Sequence, residues 1–260
     1  MSNPITGREA LIALSLRHAG DWDKIHADVR TRADLSDVDP EDLPENAVTI
    51  LDPEYPESLK NSPKPPFVLW YDGDVSLLSS GRILSLAGSA HPSEYGEKVS
   101  EDIGMSAAAK KVVVCAKLSQ GCQERALWGC ALTDKAIAVL YRGIDRVDPD
   151  GGLSNVRRRI LELGGLIVSE YPGKTEPTPR SAVESTRIVA ALGKVLAIPE
   201  AAERSGSLIA AGMALNLGRD VACVPHRITD GGACNGLIAE GAYCLHDVRA
   251  FFDEFFPKGA

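Results

Sequence analysis

A chain of 260 residues, 44% hydrophobic and 25% charged, can bury a sizeable core and has the composition of a globular protein. A formal net charge of −8 excludes a generally basic nucleic-acid binder, so any phosphate contact requires a local positive patch on an acidic body. No apolar run reaches the length of a membrane span, MSNPITGREA lacks the basic start and apolar core of a signal peptide, and the six cysteines form no CxxC pair. The expectation is a protein of the reducing cytoplasm with no membrane partner.

Thr6-Gly7-Arg8-Glu9 has capping-box spacing ahead of Leu11, Ile12, Leu14 and Leu16, which predicts a helix at the start, and a second short helix fits Asp21 to Arg32. Residues 34–57, rich in Asp, Glu and Pro, read as a linker or surface loop with little core of its own. The predicted division is a small helical lobe over 1–50 and a main domain over 51–260. Phe67 to Trp70 is expected to add an edge strand or to pack on the main domain. From Gly81 the pattern changes to alternating strands and helices. Strands are predicted at 83–90, 112–116, 136–141, 166–171, 195–198 and 220–225, with a short one at 243–246. Helices are predicted over 93–110, 121–132, 153–163, 181–192, 208–217 and 235–240. Nearly continuous apolar strands joined by helices imply a doubly wound, mostly parallel α/β sheet of the Rossmann-like kind.

The densest signal is KVLAIPEAAERSGSLIAAGMALNLG, from Lys194 to Gly218. Its order of strand, small-residue loop and helix aims free N–H groups and a positive helix end above the strand's carboxyl edge. Ser205 is placed to cap the helix, and Gly206 lets a ligand approach the backbone. No GxGxxG follows the first strand and there is no P-loop, which argues against dinucleotide chemistry. No His/Cys/Asp group has metal-ligand spacing, no cofactor is implied, and His226 and His246 read as structural or surface residues. Glu170 and Glu200 both stand at strand ends, so a carboxylate pair facing the cleft is conceivable. Nothing supplies a nucleophile with its base, and the expectation is a binding protein with no catalytic residues.

SEYPG (169–173), SGSL (205–208), LGRDVACVP (217–225) and GGACNGLIAEGA (231–242) resemble, in order and spacing, the second half of the DprA/Smf family of DNA-processing proteins. LAGSAHPSEYG (86–96) is similar to that family's first loop, and LDPEYPESL with PPFVLWYDGD (51–74) to its lead-in segment. The resemblance implies an extended Rossmann-like domain that binds single-stranded DNA without sequence preference, dimerises, and helps load a RecA-type recombinase during DNA uptake and recombination. Carried onto this chain, it makes Gly88, Ser89, Ser93, Lys174, Arg187, Ser205, Gly206, Ser207 and Asn235 the expected phosphate-binding residues. Arg187 would supply the forked charge, and Tyr171 would be the aromatic beside these loops. The chain departs from the family pattern at Ala90, where an Arg is usual, at Gln123 and Leu127, where Asp and His are usual, and at 182–187, which keeps only the last Arg of an F-x-x-R-N-R element. It reads as a diverged and shortened member.

A second reading on the same fold is a module for a nucleotide derivative, similar to the phosphoribohydrolases, with DNA binding lost. Those enzymes carry PGGxGT-x-x-E at the comparable helix start, and RSGSLIAAGMAL lacks the Glu. The aromatic run AFFDEFF (250–256) is too dense for a solvated tail and points either to a homodimer or to packing on its own sheet.

Overall fold

The computed structural model describes residues 5–146 and 151–257. Thr6 opens α1 (Gly7–Arg17) with the predicted capping box: its hydroxyl accepts from the Glu9 N–H at 3.3 Å, and the Glu9 carboxylate accepts from the Thr6 N–H at 2.6 Å. Then come α2 (Trp22–Thr31), β1 (Ala47–Thr49), the single turn α3 (Glu57–Lys60) and β2 (Val68–Gly73). The alternating part runs β3 (Ile83–Leu86), α4 (Glu94–Ala109), β4 (Val113–Lys117), α5 (Cys122–Cys130), β5 (Ala136–Leu140), α6 (Gly151–Glu162) and β6 (Leu166–Ser169). It continues through α7 (Pro179–Glu184), α8 (Thr186–Leu192), β7 (Val195–Ile198), α9 (Gly206–Asn216), β8 (Asp220–Cys223), α10 (Cys234–Ala239), β9 (Tyr243–Cys244) and α11 (Val248–Phe255).

The nine strands form one sheet in the order β1-β2-β6-β5-β4-β3-β7-β8-β9. From β6 to β9 all pairings are parallel, while β2 runs antiparallel to both β1 and β6. The order reverses at β3: the chain first builds outward through β4, β5 and β6, then returns to lay β7 on β3's other side. In an open parallel sheet, the crevice beyond the carboxyl ends at such a reversal is where ligands bind. The strands carry side chains to apolar layers on both faces. Leu84 and Leu86 meet α4, α5 and α11 on one side, and Ile83 meets α8 on the other.

Three expectations change. The segment read as a linker contains β1, whose Ala47, Val48 and Thr49 are all buried against β2, so part of the acidic stretch belongs to the sheet. The strand through Trp70 is not an edge: it pairs with β6, and the Trp70 indole N–H donates to the Ser15 hydroxyl at 3.1 Å. The helix read over 181–192 is broken at Ser185, whose hydroxyl donates to the Ala182 carbonyl, a bond that competes with the helix ladder. The aromatic run forms α11, where Phe251 and Phe252 are fully buried in this chain's own core. At roughly 1.5–3 kcal/mol per side chain, that burial accounts for the run without a partner.

Candidate nucleic-acid interface

The loops after β3, β7 and β8 converge at the reversal. They line a cavity of about 290 Å3 with Ser89, His91, Ser93, Glu200, Glu203, His226 and Asp230, over Gly231 and Gly232. The same loop after β7 runs on from Glu203 into the start of α9. Ser205 occupies the cap position in extended backbone, yet its hydroxyl caps nothing. The hydroxyls of Ser205 and Ser207 are both buried without a hydrogen-bond partner among the described residues. Gly206 is exposed, and a Cβ built there would meet nothing within 4 Å. An N-terminal turn with unsatisfied N–H groups, two idle hydroxyls and open space in front is an acceptor-seeking site.

The first loop is arranged differently from expectation. Gly88 faces protein: a Cβ would come 2.5 Å from the Cys122 Cβ. The Ser89 N–H donates to the Glu200 carbonyl at 2.7 Å, and its hydroxyl accepts from the His91 N–H. Gly121, at φ +89°, packs on the Ser89 carbonyl, which accepts from the Cys122 N–H. Ser93 caps α4, but a carboxylate already sits there. Glu200 accepts from the Ser93 N–H at 3.0 Å and from its hydroxyl at 2.6 Å. Gly88, Ser89 and Ser93 therefore shape the crevice, and the anion position on α4 is filled by Glu200.

Asn235 is likewise committed. Its side-chain oxygen accepts from the His226 N–H at 3.0 Å and its amide donates to the His226 carbonyl at 2.8 Å, which closes the loop between β8 and α10. The His226 ring lies 2.9 Å from the Pro199 carbonyl and is structural, as expected of it.

Arg187 is corrected outright. It lies 6% exposed inside α8, a helix buried along its whole length. Its Nε donates to the Lys64 carbonyl at 2.8 Å, one terminal nitrogen to the Glu184 carbonyl at 2.7 Å, and the other to Glu170 Oε1 at 2.6 Å. No fork remains for a phosphate. Burial opposes the guanidinium charge, but Glu170, Tyr171 and Glu184 together outweigh it and raise the Arg187 pKa. Burial pushes the Glu170 carboxyl up, with Arg187 opposing. Glu170 and Glu200 are thus engaged by different partners, Arg187 and Ser93, and form no catalytic pair.

Lys174 is exposed on the loop after β6, but β5, β4 and β3 separate that strand from β7. Four strand spacings place it about 19 Å away across the sheet. Tyr171 is 6% exposed, with its ring against Gly20 and its hydroxyl bonded to Glu184 at 3.3 Å.

Three residues passed over in the sequence stand next to residues that line the crevice: Arg204 follows Glu203, Arg227 follows His226, and Tyr95 packs on His226. Arg204 immediately precedes Ser205, is exposed, and takes the left-handed φ of +58° that non-glycine residues rarely adopt. Arg227, on the loop after β8, is exposed too; neither has an ion pair among the described residues. Tyr95, in the first turn of α4, is 50% exposed and edge-on to the His226 ring at 5.4 Å. The signal for Arg204 was in plain view beside Ser205. For Tyr95 it was not, because its meeting with His226 is a tertiary fact.

Comparison with known proteins agrees with this architecture. The model of the DNA recombination-mediator protein A family matches residues 46–256. DNA processing protein DprA of Bacillus subtilis is 29% identical over 212 residues, 80% of this chain and 71% of that protein. Its counterpart from Streptococcus pneumoniae is 31% identical over 214 residues, 79% of this chain and 73% of that one. Protein Smf of Escherichia coli is 31% identical over 191 residues, 72% of this chain and 50% of its own length. The solved structure of the pneumococcal DprA superposes with a TM-score of 0.75 at 27% identity, covering 95% of this chain and 93% of that chain. DNA processing protein A from Helicobacter pylori, solved for its single-stranded DNA binding mode, has the same fold, with a TM-score of 0.73 at 23% identity over 80% of this chain and 94% of its own. On the family match over most of its length, this chain belongs to the DNA recombination-mediator protein A, or DprA/Smf, family.

Proposed function

We propose that this chain binds single-stranded DNA at the carboxyl edge of β3, β7 and β8, as a cytoplasmic, non-catalytic DNA-processing protein that helps load a RecA-type recombinase. The observation that carries the reading is the start of α9, where the open Gly206 and the idle hydroxyls of Ser205 and Ser207 follow the exposed Arg204, while the exposed Arg227 lies on the loop after β8, neither arginine having an ion pair among the described residues. Phosphates take the helix end and the two guanidinium forks. The cavity below is lined by Glu200, Glu203 and Asp230, which repel phosphate. It takes base edges, whose amino groups donate to carboxylates, while Tyr95 offers a stacking face.

Names of relatives that refer to DNA processing support this reading, and so does the placement of the site at the sheet's reversal. The recombinase partner and the homodimer rest on the family resemblance. For the dimer, α9 adds an outward apolar face, with Ile209 43% and Leu215 58% exposed beside a groove lined by Leu237, Tyr243 and Phe255. The test is fluorescence anisotropy with labelled oligothymidine at graded salt, followed by recombinase assembly on strands coated with single-strand-binding protein. Saturable, salt-sensitive binding with faster assembly supports the reading. A crevice that takes mononucleotides but no oligonucleotide replaces it with a nucleotide-derivative module.

A further inference from the structure

The opposite, amino-terminal edge of the same strands carries a groove of about 480 Å3. Leu78, Ile83 and Leu192 lie in its wall, and its charged lining is Lys60, Lys194 and Arg219 against one acid, Glu57. Lys194 stands just before β7, exposed and without an ion pair among the described residues, with its backbone N–H fixed to the Ile83 carbonyl at 2.9 Å. Arg219 stands just before β8. One of its terminal nitrogens donates to the Ala191 carbonyl at 3.4 Å, while its buried Nε finds no acceptor among the described residues. The Lys60 ammonium lies 3.6 Å from Glu57, whose side chain is 75% exposed.

Charge decides what such a groove takes. The carboxyl ends of α8 and α9 precede Lys194 and Arg219, and each counts as about half a negative charge. Together with the Glu57 carboxylate they offset about two of the three cations, which leaves a balance of about +1 on a chain whose sum is −8. The crevice at the other edge has the reverse balance, with three carboxylates in its lining.

We propose that this groove is a second, separate anion site that takes the phosphate of a phosphomonoester of nucleoside size. The phosphate sits among Lys60, Lys194 and Arg219 with the Ser58 and Ser79 hydroxyls at hand, and its organic part lies along the apolar wall. Gly81 keeps the wall open, since a Cβ there would meet nothing within 4 Å. β3 and β7 are each four residues long, about 13 Å, so a phosphate in the groove cannot also touch the start of α9.

Calorimetry and thermal shift on the full chain, with inorganic phosphate and with a nucleoside monophosphate as probes, test this in wild type, Lys194→Glu and Arg219→Met. Wild type is expected to bind the monophosphate saturably and to be stabilised by it, and both variants to weaken it by roughly tenfold or more. Lys194 is exposed, so its variant remains informative even where Arg219→Met perturbs the fold. Oligothymidine affinity is expected to be the same in wild type and Lys194→Glu, which separates this site from the strand interface. No saturable binding of either probe, or undiminished binding in both variants, overturns the proposal. Parallel loss of oligothymidine affinity in Lys194→Glu also overturns it, in favour of the strand's own phosphates as the occupant.

Discussion

The Arg187 guanidinium and the Glu170 carboxylate form an ion pair at 2.6 Å with side chains only 8% and 4% exposed, tying α8 to the end of β6. Two charges this deep are held by each other, and removing one leaves the other without compensation. Arg187→Met is therefore expected to cost about 3–5 kcal/mol of stability, while Arg187→Met with Glu170→Met recovers most of it. Urea unfolding of the single and double variants measures this. A single variant within about 0.5 kcal/mol of wild type, an effect typical of a surface change, contradicts a structural role.

Asp23 sits between the Lys64 ammonium, at 2.7 Å, and the Arg180 guanidinium, and joins α2 to α7. The Lys64 bond, then the Arg180 bond, lowers its pKa from 3.8 to about 2. A carboxylate lowered on folding stabilises the protein above its unfolded pKa, and that contribution fades as pH falls through the folded value. The melting temperature of Asp23→Asn is expected to lie below that of wild type at neutral pH, with the gap closing as pH drops from about 4 toward 2. A gap that does not change with pH rules out the ionic contribution.

The sheet was legible because its strands are short apolar runs such as VVVCA and KVLAI between turn residues, and one period suffices to name them. β1 was not, because three residues inside an acidic, proline-rich stretch give no period at all. α11 was hidden by a real ambiguity: dense aromatics mark either an interface or a core, and only the position of Phe251 over the sheet decides. Arg187 was misassigned because family position stood in for burial. The sequence did hold a warning, since RIVAAL offers that Arg no polar neighbours and LIVSE ends an apolar strand on a carboxylate. The groups of the first-loop residues Gly88, Ser89 and Ser93 are taken up by the chain itself, through Cys122 and Glu200, which the loop's sequence does not show.

Base preference follows from the acidic crevice. Oligocytidine, with its exocyclic amino donor, is expected to bind about fivefold or more tighter than oligothymidine of equal length, and Glu203→Gln with Asp230→Asn to erase the difference. Tyr95→Ala is expected to weaken both by about 1–3 kcal/mol. Competition anisotropy reads wild type and both variants. Equal affinity for the two strands in wild type contradicts carboxylates facing the bases.

Light scattering at micromolar concentration is expected to give twice the 27.7 kDa chain mass, and Leu215→Asp on the exposed face of α9 to give the chain mass. A wild-type monomer removes the dimer. A dimer that survives Leu215→Asp moves it to another face.

The claim that phosphates bind at the start of α9 with Arg204 and Arg227 as the cations is tested most directly by oligothymidine anisotropy across a salt series, with wild type, Arg204→Ala with Arg227→Ala, and Arg187→Lys. Few cations face the strand, so the wild-type salt slope is expected to correspond to about two to four phosphates. The arginine pair variant is expected to lose at least about tenfold in affinity and to flatten the slope by about two phosphates, while Arg187→Lys, where it stays folded, binds as wild type does. Unchanged affinity and slope in the Arg204 and Arg227 variant, or a selective loss of binding in folded Arg187→Lys, contradicts the account.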